Sequence, residues 1–100
     1  MSYVVLSPKA EQIIGEEISD SWLLQSLTVR LEEIAAAPTR HTEPAASPPF
    51  RPDRLMANFE LEDAAGRTWT FVVLLLRLPD EEGIFVHTLR IGPPPDDDFF

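Results

Sequence analysis

Eleven residues, Thr68 to Leu78 (TWTFVVLLLRL), constrain the fold of this chain more than any others. Thr68, Thr70, Val72, Leu74, Leu76 and Leu78 alternate with Trp69, Phe71, Val73, Leu75 and Arg77, so apolar side chains dominate both faces of an extended segment. Such a run, rich in β-branched and aromatic residues and without a polar side to give to water, predicts a strand in the middle of a sheet. It is too short to cross a bilayer as a helix, and Arg77 and Pro79 close it.

The segments around it supply partners. Leu55, Ala57, Phe59 and Leu61 alternate with Met56, Asn58, Glu60 and Glu62, the pattern of a half-buried strand. Asp63-Ala64-Ala65-Gly66 then turns the chain into the central strand, with Gly66 at the position that needs a positive φ. A second turn at Pro79-Asp80-Glu81-Glu82-Gly83 leads to a last strand, Ile84 to Ile91. Its alternation sets Phe85, His87, Leu89 and Ile91 against Ile84, Val86, Thr88 and Arg90. A three-stranded antiparallel meander follows.

Upstream, Tyr3 to Leu6 read as a short first strand that stops at Ser7-Pro8, where Ser7 can cap a helix and Pro8 suits its first position. The full capping box is missing, because the acid falls at Glu11 rather than one residue earlier. Ala10, Ile13, Ile14 and Ile18 recur at helical spacing, weakened by Gly15. Ser19-Asp20-Ser21 marks a break and a new cap, and Leu23, Leu24, Leu27, Leu31 and Ile34 carry a second helix to Ala37. The fold class is therefore α+β: an N-terminal strand, a helical hairpin and the meander, in one domain over residues 1–92. Residues 38–53 hold five of the ten prolines and predict an irregular connection, to which Phe50 is a candidate anchor. Residues 93–100 form an acidic tail.

Composition limits function. Seventeen acidic against eight basic side chains give a net charge of −9, distributed as −4 over residues 1–37, zero over 38–53 and −5 over 54–100. With no basic patch, direct nucleic-acid binding is disfavoured, whereas a basic partner, or a role as an acidic decoy, is electrostatically allowed. The chain has no cysteine, hence no disulfide and no thiolate site. No leader pattern or membrane-length apolar run is visible, which sets the expectation of a soluble, cytoplasmic protein with no membrane partner.

The order strand, two helices, meander resembles the RelE/ParE toxin superfamily of bacterial toxin–antitoxin modules. The resemblance is carried by YVVLSPKA at the start, by LEEIAAAPTR at the end of the second helix, and by FVVLLLRLPDEEGIFVHTLRIG. It covers nearly the whole chain apart from the Pro-rich loop. It implies a β-α-α-β-β-β fold, a cognate antitoxin as partner and, in ribosome-dependent members, metal-independent cleavage of messenger RNA. Those members place Lys, Arg, His or Tyr side chains over the open face of the sheet. This chain departs from that pattern: the polar side of the first meander strand carries Glu60 and Glu62, and Pro93-Pro94-Pro95 follow Ile91-Gly92 where a basic residue is usual. Where a terminal tyrosine is common it has Asp96-Asp97-Asp98-Phe99-Phe100, and phenylalanine cannot exchange a proton. The resemblance leaves Arg67, Arg77 and Arg90 as candidate phosphate contacts, with Arg90 the first choice for a functional contact. A role mainly in protein binding, without messenger RNA cleavage, fits these departures better.

Other residues carry bland expectations beside functional ones. His87 lacks a visible acid–base partner and is expected to be semi-buried. Arg77 can snorkel from the sheet to water, and Arg90 can pair with Glu60 or Glu62. Trp22 and Trp69 are expected in the core. His41 has no second ligand at metal spacing, and neither a metal site nor a cofactor site is read. The adjacent acids Glu16-Glu17, Glu32-Glu33 and Glu81-Glu82 do not face each other on a helix and read as solvated.

The tail, Asp96, Asp97, Asp98, Phe99 and Phe100, follows a polyproline segment. It resembles the C-terminal peptide of bacterial single-stranded DNA-binding proteins, which docks a terminal phenylalanine in a pocket rimmed by basic residues. The alternative to a RelE/ParE-like protein is therefore a small acidic interaction or inhibitor protein. Its carboxylates would imitate phosphates, or its tail would dock in a partner's basic pocket.

Overall fold

A computed structural model describes residues 3–38, 40, 42–44, 54–78 and 83–94 of the chain. His41, Phe50, the turn residues 79–82 and the tail residues Asp96 to Phe100 lie outside the described residues.

Strand β1, Tyr3–Leu6, runs into helix α1, Pro8–Glu17, which is followed by helix α2, Ser21–Ala36. Strands β2 (Glu43–Pro44), β3 (Arg54–Glu62), β4 (Thr68–Arg77) and β5 (Gly83–Gly92) complete one mixed sheet in the order β1-β5-β4-β3-β2. The α+β class and the predicted element order are those observed. Strand β4, the run that constrained the reading, is the middle strand. Two features lie beyond the sequence reading: β1 joins the meander parallel to β5, and the Pro-rich segment contributes the two-residue strand β2.

Local chemistry explains the helix ends. The Ser7 hydroxyl accepts a bond from the Ala10 N–H at 3.0 Å and donates one to the His87 carbonyl at 2.6 Å. The same residue thus caps α1 and ties it to β5. Asp20 caps α2, accepting from the N–H groups of Trp22 at 2.8 Å and Leu23 at 3.2 Å. Gly66 takes φ +80°, as the first hairpin turn demands.

Both helices lie on one face of the sheet, α1 against β1 and β5, α2 against β1, β3 and β5. Ala10, Ile14 and Ile18 from the first helical segment and Leu23, Leu27, Leu31 and Ile34 from the second bury against Ala57, Phe71, Val73, Leu75, Ile84, Val86 and Leu89. Phe71 stacks on Phe59 with ring centroids 5.4 Å apart. Leu24, expected on the buried stripe, is 41% exposed, because α2 gives the core only the arc through Leu23, Leu27, Leu31 and Ile34.

Gly15 sits on the exposed side of α1, and a Cβ added there meets no atom within 4 Å. Gly15→Ala should therefore stabilise the protein by about 0.5–1 kcal/mol through helix propensity and reduced unfolded-state freedom. The urea unfolding midpoint checks it; an unchanged or lower midpoint would mean that α1 contributes little to the cooperative unit.

The single helical layer corrects the expectation that both faces of β4 would be buried. Phe71, Val73 and Leu75 face the helices and are buried, whereas on the other side Thr70 and Leu74 are exposed and Val72 is half-buried. The predicted alternation of β5 also fails midway. Leu75 pairs with Val86 and Leu74 with Thr88, so His87 is the extra residue of a β-bulge. The core set is consequently Ile84, Val86 and Leu89, with Ile91 packed against it. His87 is exposed rather than semi-buried.

Candidate functional site

The β3–β4 turn is the most highly connected polar site. Asp63 is only 3% exposed and its carboxylate accepts four bonds. Oδ1 takes the N–H groups of Ala65 and Arg67, each at 2.9 Å. Oδ2 takes Arg67 Nε at 3.0 Å and Trp69 Nε1 at 2.9 Å. The Trp69 indole bond above all, with the backbone bonds and the Arg67 charge, holds the carboxyl down at about 2, against the cost of burial. Across from it, Asp20 Oδ2 accepts the Ala64 N–H at 3.0 Å. That bond and the α2 cap keep the Asp20 pKa below its usual value. Two carboxylates therefore clamp the start of α2 to the turn that begins β4.

This geometry decides the fate of the predicted cations. Arg67 is engaged by Asp63 and belongs to the turn. Arg77 is exposed at the far end of β4, separated from Arg67 by about 33 Å of extended chain. Arg90 is exposed on β5, in register with Val72, on the face that the helices leave open. His87 stands three residues before it, in the bulge. Arg90 makes no ion pair with Glu60 or Glu62: Glu60 is in register with Thr70, and Thr70 with Gly92, one pleat beyond Arg90. The arginines are thus not gathered into one constellation.

Two grooves border the sheet. Val72 and Leu74 of β4, Met56 of β3 and Arg90 of β5, all on the open face, share a depression of about 780 Å³ with Leu89 and Ile91 on the helix side of β5. Lys9, Ile13 and Glu17, one stripe of α1, line it from the helix side. A second groove, of about 350 Å³, lies between α2 and β3, where Trp22, Ser26 and Val29 face Leu61. Trp22, expected in the core, is 59% exposed there. Its position, two residues after the Asp20 cap and one before Leu23, puts it off the stripe of Leu23, Leu27, Leu31 and Ile34. Trp69 is half-buried, with its indole N–H satisfied by Asp63.

The Asp63 hub went unread in the sequence, although a signal for it existed. An acid at the first turn position, an arginine four residues on and an apolar-strand tryptophan six residues on supply one acceptor and two side-chain donors. Among the described residues, no cluster of three His, Asp or Glu side chains could hold a metal ion. No helix among them is long and apolar enough to cross a membrane. Comparison with protein-family models, curated proteins and solved structures returns no match.

Proposed function

We propose that this chain is a diverged RelE/ParE-like protein that acts by binding a protein partner, its cognate antitoxin, rather than by cutting messenger RNA. The observation that carries this reading is the composition of the open sheet face. Arg90 stands there beside an apolar floor of Val72, Leu74 and Met56, and Lys9 of α1 lines the groove. Arg54 lies on the same face but in register with Leu76, four residues along β4 from the Val72 that pairs with Arg90, and Arg67 and Arg77 lie toward opposite ends of β4. In-line attack by a 2′-hydroxyl needs a proton acceptor within hydrogen-bond reach and cations around one phosphate. An apolar floor with cations spread around it suits the side chains of a polypeptide better.

Inducible expression in a bacterial host, alone and with the product of the adjacent gene, tests the assignment. Binding of the neighbour's product to the purified chain, with no cleavage of ribosome-bound messenger RNA by the chain alone, is the expected result. Cleavage that is lost in Arg90→Ala would overturn it in favour of a ribonuclease.

The second reading, an acidic interaction or inhibitor protein, is favoured by Glu60 and Glu62, both exposed on one side of β3 with no described cation paired to them. If the tail mediates this function, deleting residues 96–100 should abolish binding to a basic partner while leaving the melting curve intact. Unchanged binding would eliminate tail docking.

A further inference from the structure

The outer edge of β3 is only partly used. Strand β2 pairs with it at Leu55 and Met56, and among the described residues no strand covers it from Ala57 to Glu62. Alternate backbone N–H and C=O groups along that length face outward, a template for another strand.

The surroundings of this edge are sided. Toward the helices, Phe59 and Leu61 are half-buried; Leu61 lines the groove whose far wall is Trp22 and Val29, 59% and 47% exposed, and Phe59 lies beneath Arg30 of the same groove. Arg30 lies over the Phe59 ring, with its guanidinium carbon 5.6 Å from the centroid, and lines the same groove. Toward the open face, Asn58, Glu60 and Glu62 alternate, all exposed.

We propose that the β3 edge from Ala57 to Glu62 takes up an extended segment of a partner protein as an additional strand, with apolar residues alternating into the α2 groove and basic residues alternating onto Glu60 and Glu62. The period of two in an added strand supplies this division, because residues opposite Phe59 and Leu61 point to the groove and those opposite Glu60 and Glu62 to the other side. A second copy of this chain is the wrong occupant. Antiparallel pairing of β3 with itself would bring Glu60 and Glu62 of both copies onto one face, between chains that each carry −9. The proposal deepens the protein-binding reading and rests on it, but not on the toxin–antitoxin assignment.

A blocked ten-residue peptide of alternating lysine and valine is the probe, titrated into the full chain with Trp22 fluorescence and amide hydrogen exchange as readouts. Saturable binding is expected, with exchange slowed at least tenfold for edge amides between residues 57 and 62. The same peptide with every backbone nitrogen methylated keeps its charge and side chains but loses its donors, and should bind at least tenfold more weakly. The E60K/E62K double variant, changed at exposed positions and checked by thermal melting, should prefer a glutamate–valine peptide instead. Absence of binding, equal binding of the methylated peptide, or an unchanged preference in the charge-swapped variant would overturn edge capture. Protection confined to β4 and β5 would overturn it too, while leaving the protein-binding reading intact. The toxin–antitoxin assignment fails separately, if the adjacent gene's product does not bind the chain at all.

Discussion

Replacing Phe71 with alanine should destabilise the protein by about 4 kcal/mol and lower its Tm by about 20 °C. Phe71 is 1% exposed at the centre of the middle strand, in register with Phe59 on one neighbour and Ile91 on the other. Its ring lies nearly parallel to that of Phe59, at 15° between planes. Truncation removes the buried ring and leaves a cavity that three hydrogen-bonded strands cannot collapse to fill. A domain of this size has roughly 5–15 kcal/mol in total, so the loss is a large fraction of it. The effect should also reach the α2 groove, because Arg30 is seated on the Phe59 ring that Phe71 supports. Phe71→Leu, which keeps most of the volume, should cost less than half as much. Urea denaturation of the two variants checks the pair; a loss below about 1 kcal/mol for the alanine variant would show that the aromatic stack lies outside the cooperative core.

Phe71 also marks what the sequence could and could not disclose. Its place in the middle strand was legible because a strand's length and apolar content are local properties, as were the caps at Ser7 and Asp20 and the glycine at the turn. The sidedness of β4 was not. Polar alternation reveals a solvent face, and this strand has almost none, so Val72 and Leu74 look as buried in sequence as Val73 and Leu75. Only the number of helices and their placement decide it: two helices supply one layer, and they cover one face.

The misreading of His87 has a different cause. A bulge inserts one residue without any necessary change of composition, and every residue after it changes face. Continuing the alternation from Phe85 therefore grouped Leu89 and Ile91 with Phe85, from which the bulge separates them, and put His87 in the wrong environment. The parallel pairing of β1 with β5 joins residues some eighty positions apart, as in Val5 with Phe85, and no local pattern encodes it.

These failures converge on the proposed binding surface. The exposed Trp22, the open side of β4 and the uncovered β3 edge are all places where apolar or unpaired groups look outward. Trp22 and the outer side of β4 were assigned to the interior by rules that assume a sequence buries what it can, and the β3 edge was not read at all. Apolar groups left at the surface beside ordered polar groups are a signature of partner binding. The candidate surface is thus found where the two accounts diverge.

Asp63→Asn should lower the Tm at pH 7 by about 10 °C and flatten the dependence of stability on acid. All four groups that meet the Asp63 carboxylate are donors. An asparagine can keep one oxygen toward the Ala65 and Arg67 N–H groups, but its amide nitrogen then confronts the Trp69 indole and Arg67 Nε, donor against donor. The carboxyl titrates at about 2 in the folded protein, against 3.8 as its ordinary value. The unfolded chain therefore takes up its proton first as the pH falls, and the stability that Asp63 contributes is complete above about pH 4 and lost as the pH drops through about 2. Asp20, also lowered, adds a loss of the same sign. The unsubstituted protein should melt at steadily lower temperature between pH 4 and pH 2. The asparagine variant should decline less over that interval and approach the unsubstituted protein at its acid end. Since Asp20 binds the Ala64 N–H of the same turn, loosening the turn should also free the first residues of α2, read as faster amide exchange at Trp22 and Leu23 at pH 7. Parallel acid slopes for the two proteins would show that Asp63 is not the titrating group, and unchanged exchange at Trp22 would show that the turn does not position the α2 groove.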